Sequence, residues 1–255
     1  MSPSDLMQIL LPGRFEDAAA AYGYVRTVFE QVAAGERGPT VSITPSTRHV
    51  GVTRRDTFRS GFAEAVRASR EEGYPVLVRG AGGGAIAAHY GTFGFSIIRG
   101  SDASESRRTI HDRYDEAAAL ALGAFARLGV RVEVGEVRDE FCPGDHSIRV
   151  GDWENGMKLV GIAQRVTRRA TSVGGIVLVA GADELARVLE LVYGAMRLPF
   201  RPGSVGSLER AGMGAGVDEV IEAFATEAAL RYGAARGSLD GRLAREAGGA
   251  HLADA

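Results

Sequence analysis

Lysine is almost missing from this sequence. Of its 30 basic residues one, Lys158, is a lysine; the rest, from Arg14 to Arg245, are arginine. Such a bias reads as replacement of Lys by Arg wherever a plain positive charge suffices. A site that keeps Lys is then one where the wide, always-protonated guanidinium fork cannot stand in for a compact ammonium. Chance survival on a solvated surface is the competing reading, and the residues around Lys158 must decide between them. Cysteine also occurs once, at Cys142, which excludes an intramolecular disulfide and fits a reducing, cytoplasmic setting. Neither sign of charge is in excess: the formal net charge is −2, so nothing favours nucleic acid or an anionic membrane as partner. No run approaches the ~20 apolar residues of a membrane span. The start, MSPSDLMQILLPGRFED, lacks a basic segment followed by an apolar one, so no secretory leader is expected. The histidines and carboxylates show no metal-ligand spacing.

What is present is an ordinary globular composition, 45% hydrophobic and 24% charged, in a chain long enough for one well-buried domain. Hydrophobic periodicity predicts helices over 17–34, 57–72 (with Phe58, Phe62, Ala65 and Val66 on one face), 106–128, 183–196 and 217–232. Strands are expected at 40–45, 48–54, 75–80, 93–98, 130–137, 147–150, 157–165 and 172–180; the apolar PVLVRG at 75–80 reads as central in a sheet. Several strands are joined too tightly for helical crossovers. The fold class is therefore α/β of the α+β type, a mixed, largely antiparallel sheet flanked by helices. Residues 1–235 are expected to form one domain and 236–255 a frayed tail of Gly, Ala and charge.

Glycine, at 35 residues, is about twice as common as usual, and one cluster stands out. Gly80-Ala81-Gly82-Gly83-Gly84-Ala85 after a strand matches a dinucleotide fingerprint, with Asp102 where a ribose-binding acid would stand. That reading fails because the fingerprint must open a helix. Here the continuation, AIAAHYGTFGFSII, reads as strand and turn. What survives is bare backbone, which admits a close-lying ligand chain or simply makes a tight turn.

Three segments together resemble the lipoate-protein ligase and octanoyltransferase family, which shares a superfamily with biotin protein ligases. They are PVLVRGAGGGAI at 75–86, CPGDHSI at 142–148 and GMKLVGIAQR at 156–165; the last is similar to the family's lysine signature. The resemblance covers roughly 17–232 and implies the biotin/lipoate protein ligase catalytic-domain fold. There are departures: Val78 replaces the first of a usual arginine pair, His89 sits one place late, Asp145-His146-Ser147 replaces a common Asn-Asp or Tyr-Asp, and the 151–156 connection with Trp153 is long. The further domain of many ATP-using ligases is not expected.

The resemblance implies transfer of an octanoyl or lipoyl group to a lysine of a lipoyl carrier domain, either a 2-oxoacid dehydrogenase subunit or the glycine cleavage H protein. An acyl carrier protein is a possible donor. Lys158 and Cys142 are the implied catalytic residues, with Lys158 aimed at the acyl carbonyl or an adenylate phosphate. Arg79, Gly82, Gly83, Gly84, His89, Gly161 and Gln164 are the implied substrate-binding residues, the three consecutive glycines forming the floor of the acyl slot. Cys142 lies in a polar Pro-Gly loop, which favours a reactive thiol over an inert one; His146 or Lys158 would supply the nearby positive charge. If Cys142 carries the acyl group, no tightly bound cofactor is needed. If it is inert, the chain would be an ATP- and magnesium-dependent ligase acting through a lipoyl-adenylate. A non-catalytic acyl-binding paralogue is the third possibility. His49, His111 and His251 lie far from these motifs and read as structural.

Overall fold

The computed structural model describes residues 6–236. Among the described residues eleven strands and five α-helices follow one another: β1 Gln8–Leu10, α1 Ala18–Ala34, β2 Thr40–Pro45, β3 His49–Val52, α2 Phe62–Glu71, β4 Val76–Val78, β5 Ile86–Ala88, β6 Thr92–Gly100, α3 Ile110–Arg127, β7 Glu133–Val134, β8 Ile148–Val150, β9 Met157–Val166, β10 Ala170–Leu178, α4 Ala182–Ala195, α5 Val217–Tyr232 and β11 Ala235–Arg236. The large sheet has the order β11-β1-β2-β6-β10-β9-β8-β7, and a small one has the order β4-β3-β5. From β2 to β7 every neighbour is antiparallel; β1 runs parallel to β2 and to β11. The mixed, largely antiparallel sheet expected from the sequence is present.

The two faces of the large sheet differ because strand residues alternate in direction. One face carries Val41, Ile43, Phe93, Phe95, Ile97, Val173 and Val177, which pack against Leu120 and Phe125 of α3 and Phe224 of α5. The rings of Phe93, Phe95 and Phe125 all lie within 5.7 Å of that of Phe224. The register across β6, β10 and β9 aligns Gly94, Ile176 and Gly161 in one row and Ser96, Gly174 and Ala163 in the next. These rows belong to the opposite face, where small residues leave space. There α1 packs on the central strands β6 and β10 through Tyr24, Val28, Phe29 and Val32 against Ile98 and Ala170. Asp17 caps α1 by accepting from the Ala20 N–H at 2.8 Å, as an N-cap carboxylate should. The small sheet packs with α2 and α4 into a second core.

Several expectations need correction. The helix expected over 57–72 begins at Phe62. Residues 56–58 form a 3-10 turn, and Gly61 adopts φ +80°, where a Cβ would run into the Ala195 carbonyl. Phe58 is 78% exposed and on no buried face. The strand expected at 75–80 is confined to β4, an edge of the small sheet rather than a central strand. The alternating run 130–137 pairs as strand only at Glu133–Val134; Gly135 still donates to the Ser147 carbonyl, and Val137 beyond it is buried. The first strand, β1, went unnoticed because three residues carry no periodicity. The tail from 237 onward lies outside the described residues.

Candidate active site

Cys142 stands on the loop between β7 and β8 with φ +44°, a left-handed conformation that costs a non-glycine residue about 1 kcal/mol. Its surroundings hold it there. The Cys142 N–H donates to the Tyr193 hydroxyl at 2.6 Å, and that hydroxyl donates to the Ala85 carbonyl at 2.9 Å. Burial pushes the Tyr193 phenol far up its range, the N–H donor from Cys142 opposing it, so Tyr193 acts as a neutral bridge between α4 and the loop. The sulfur accepts from the Gly84 N–H at 3.2 Å and faces an Arg79 guanidinium nitrogen at 3.4 Å, which also donates to the Gly84 carbonyl at 2.7 Å. A backbone N–H and a guanidinium nitrogen thus face the one sulfur.

The glycine run 82–84 serves this thiol. A Cβ on Gly83, at φ +99°, would stand 2.5 Å from the Cys142 sulfur, and one on Gly84 would press on Tyr193 and the Cys142 backbone. Gly82 has open space beside it. The chain continues into β5, not a helix, and Asp102 accepts from Ser104 and Glu105 as a local turn cap. No dinucleotide geometry exists at this loop.

Lys158 is fully buried. Its ammonium donates to Glu140 Oε1 at 2.9 Å, the Phe141 carbonyl at 2.9 Å and the Cys142 carbonyl at 2.8 Å, with the Phe141 ring 4.6 Å away. Surface survival is excluded. The ammonium grips the backbone of the cysteine loop, where the resemblance implies a contact with an acyl carbonyl or phosphate. A bulge aims it there, since Ile148 faces Val160 while Arg149 faces Lys158, leaving Leu159 as the extra residue. Gly161 makes room, because a Cβ on it would lie 2.9 Å from Lys158 Cε.

A cavity of about 280 Å³ opens beside the sulfur, near the lower end of the range for small-molecule sites. Its floor is the small-residue face of the large sheet: Gly94, Ser96, Gly161, Ala163, Gly174 and Ser172. Its walls are Ala21, Tyr22, Val25 and Phe29 of α1, and Arg79, Ile86, Ala88 and His49 around the small sheet. Cys142, Arg79 and His49 all border it, and the Arg79 N–H donates to the Val52 carbonyl of β3. The His49 ring sits 2.9 Å from the Thr47 carbonyl and 3.2 Å from the Tyr22 hydroxyl. Burial lowers its pKa to about 4 against the opposing Thr47 contact, and raises that of Tyr22 to about 12, offset in part by Arg79. Both are neutral near pH 7, as a dry wall requires.

The other expected site residues fall as follows. Arg79 and Gly161 line the cavity; Gly82, Gly83 and Gly84 do not form its floor. His89 points elsewhere, its ring accepting from the Gly91 N–H and lying 3.2 Å from the Gly181 carbonyl at the start of α4. Gln164 accepts from Arg113 and donates to the Ile110 carbonyl, tying β9 to α3. His146 is paired with Asp115 at 3.0 Å and stacked on Tyr114, so Arg79, not His146, is the cation at the thiol. Tyr22, His49, Tyr193 and Glu140 escaped the sequence reading. His49 in particular looked structural, because the strand pairing that brings it to the cavity leaves no local signal. His251 lies outside the described residues. Among the described residues no group of three or more His, Cys, Asp or Glu side chains could hold a metal ion, and no helix is long and apolar enough to cross a membrane.

Known proteins share this fold. Solved structures with this fold include a bi-partite lipoate protein ligase from Thermoplasma acidophilum (TM-score 0.69, 18% identity, covering 95% of this chain and 91% of that one). Another is a lipoate-protein ligase A bound with ATP (TM-score 0.69, 19% identity, 95% and 93% covered). An octanoyl-[GcvH]:protein N-octanoyltransferase of Geobacillus kaustophilus is 31% identical over 163 residues, 63% of this chain and 55% of that protein. A lipoyl-[GcvH]:protein N-lipoyltransferase of Listeria monocytogenes is 24% identical over 171 residues, 67% and 59%. The chain thus spans about half the length of the curated relatives it matches. The model of the lipoyl protein ligase A/B catalytic domain matches residues 17–229, and the chain belongs to that family.

Proposed function

We propose that this protein transfers an octanoyl or lipoyl group to a lysine of a lipoyl carrier domain through a thioester on Cys142. The observation that carries the reading is the sulfur itself: Cys142 borders a largely apolar cavity of about 280 Å³, with the Gly84 N–H and Arg79 directed at its sulfur. The Cys142 thiolate attacks the donor acyl carbonyl, and the donor leaves as a protonated thiol or amine. The target lysine amine, in neutral form, then attacks the thioester, the amide forms, and the thiolate is restored with loss of one proton. Arg79 and the Gly84 N–H hold negative charge on sulfur before and after each step.

The donor is a carrier-bound acyl group: the names of the relatives point to an octanoyl-H protein, and an acyl carrier protein thioester is the alternative source. The H protein or a 2-oxoacid dehydrogenase subunit provides the acceptor. Adenylate chemistry is disfavoured because Lys158, the cation that would meet a phosphate, has all three N–H groups engaged. Nothing in this route calls for a bound cofactor, and a cytoplasmic setting accords with a reduced single thiol.

The test is intact-mass analysis of the full chain with octanoyl-H protein, octanoyl-acyl carrier protein, or lipoate plus ATP and magnesium. An octanoyl adduct that disappears in Cys142→Ala, together with acyl transfer to a lipoyl domain, is expected with one of the carrier donors. Transfer that survives Cys142→Ala, accompanied by pyrophosphate release, would overturn the thioester reading in favour of the ligase. Acyl binding with no transfer from any donor would make the chain a binding paralogue.

A further inference from the structure

We infer that Glu140 is a positioning residue for Cys142, and that Lys158 serves the thiol through this carboxylate and its loop rather than by touching the acyl group. The inference rests on the thioester reading above. An ammonium has three N–H donors, and Lys158 directs one to Glu140 and two to the carbonyls that flank the Cys142 backbone. None is left for a substrate oxygen.

Glu140 is as buried as Lys158 and gathers the loop around itself. Its Oε1 accepts from the Ser147 hydroxyl at 2.5 Å as well as from Lys158, and its Oε2 accepts from the Val137 N–H at 3.0 Å. Val137 and Ser147 are the two stems of the loop that carries Cys142. One carboxylate therefore closes the loop at its base while its counter-ion holds the two carbonyls at its tip. A buried ion pair is weak evidence for stability, since a well-packed apolar pair often does as well. An apolar pair could not hold two carbonyls in the orientation that keeps Cys142 left-handed and its sulfur against Gly84. Orientation is the role that the geometry leaves for this pair.

The experiment compares the full-length chain with Glu140→Gln, Lys158→Met and the double variant, and with Ser147→Ala as a milder change. Two quantities are read: the rate of Cys142 alkylation by iodoacetamide as a function of pH, and single-turnover octanoyl transfer with its substrate dependence. Misplacing a reacting group by about 1 Å costs about a hundredfold. Glu140→Gln and Lys158→Met are each expected to slow transfer by about that factor, with the donor KM within about twofold. Both should displace the alkylation profile alike, and the double variant should be no worse than either single one, as for residues acting as a unit.

Lys158→Met abolishing transfer with an unaltered alkylation profile, beside a Glu140→Gln variant of full activity, would overturn the inference and return Lys158 to the acyl carbonyl. Should Glu140→Gln fail to fold, Ser147→Ala decides. A loss of about fivefold, the size of one net hydrogen bond, with the alkylation profile moved the same way, supports the clamp; no change in either refutes it. Absence of octanoyl transfer in the unsubstituted chain would remove the thioester reading, whereas the alkylation comparison would still judge the clamp.

Discussion

Two sets of glycines surround Cys142, and they do different work. Gly82, Gly83 and Gly84 are consecutive and lie behind the sulfur, where Gly83 and Gly84 let backbone approach the thiol. Gly94, Gly161 and Gly174 are far apart in sequence, and strand pairing assembles them into the bare floor of the cavity. The conspicuous cluster backs the reacting atom. In the dispersed set Gly94 leaves open floor, whereas Gly161 also admits Lys158 and Gly174 lets the Phe95–Ser96 backbone of β6 come close. Glycine in a run is visible as a place where backbone must come close, whereas the open floor is created across strands. Each set can be disturbed without the other, and the consequences should separate.

The largest effect is expected at the cluster. Gly83→Ala puts a Cβ 2.5 Å from the sulfur at φ +99°, so the loop or the thiol must move, with backbone strain of about 1–2 kcal/mol in addition. Octanoyl transfer should fall by about a hundredfold, while octanoate binding, followed by calorimetry, stays within about threefold of the unsubstituted chain. Gly82→Ala, which meets nothing within 4 Å, is the control and should leave both within about twofold. Equal losses in the two variants would mean that the run matters only as flexible chain.

The contrast also explains how much could be read in advance. The fold class, most helices, Lys158, Cys142 and Arg79 were legible because each rests on contiguous residues: a periodic run, a signature, a loop with Pro and Gly. The lysine's bond partners were not, since a one-residue bulge at Leu159 sets its direction. Likewise the glycine run was legible as a site element, but its expected place as the acyl floor went to residues joined only by register. His49 and Tyr22 come from a strand and a helix whose own patterns are unremarkable. Helix 57–72 was overestimated for a similar reason: the Ala195 carbonyl that makes Gly61 necessary lies 134 positions away.

His49 stands in the wall beside the dispersed glycines. His49 is buried, with a pKa lowered to about 4 against an ordinary 6.5. A group whose protonated form is disfavoured in the folded state contributes stability that is complete above its unfolded pKa and is lost as pH falls through its folded one. Stability should therefore decline between about pH 6.5 and 4, by about 3 kcal/mol for a shift of this size. Urea unfolding of the native chain and of His49→Gln over that window checks it, the difference in slope being the His49 contribution. Parallel curves would mean that the ring is hydrated and the cavity wet beside it. That would weaken the contrast between a dry acyl slot and a polar thiol loop.

The smallest effect, and the one that bears most directly on the floor, is expected from Gly94→Val. A Cβ on Gly94 meets nothing nearer than the Gly175 carbonyl at 3.8 Å, so the side chain should enter the cavity without straining the sheet. It would occupy room for about three carbons of a ligand in a space of about 280 Å³. One methylene in a fitted apolar slot is worth about 1–3 kcal/mol, and partial relaxation of the bound chain should keep the loss near the lower bound. The kcat/KM for octanoyl transfer is therefore expected to drop by about tenfold, and that for hexanoyl transfer to change by less than about twofold. Cys142 alkylation should stay at its native rate, because the thiol and its Gly83–Gly84 backing are untouched. A Gly94→Val variant that handled octanoyl and hexanoyl donors in the native ratio would place the acyl chain somewhere other than on this floor. If its alkylation rate fell with Gly83→Ala, the two sets of glycines would be one site and the division of labour between them would be lost.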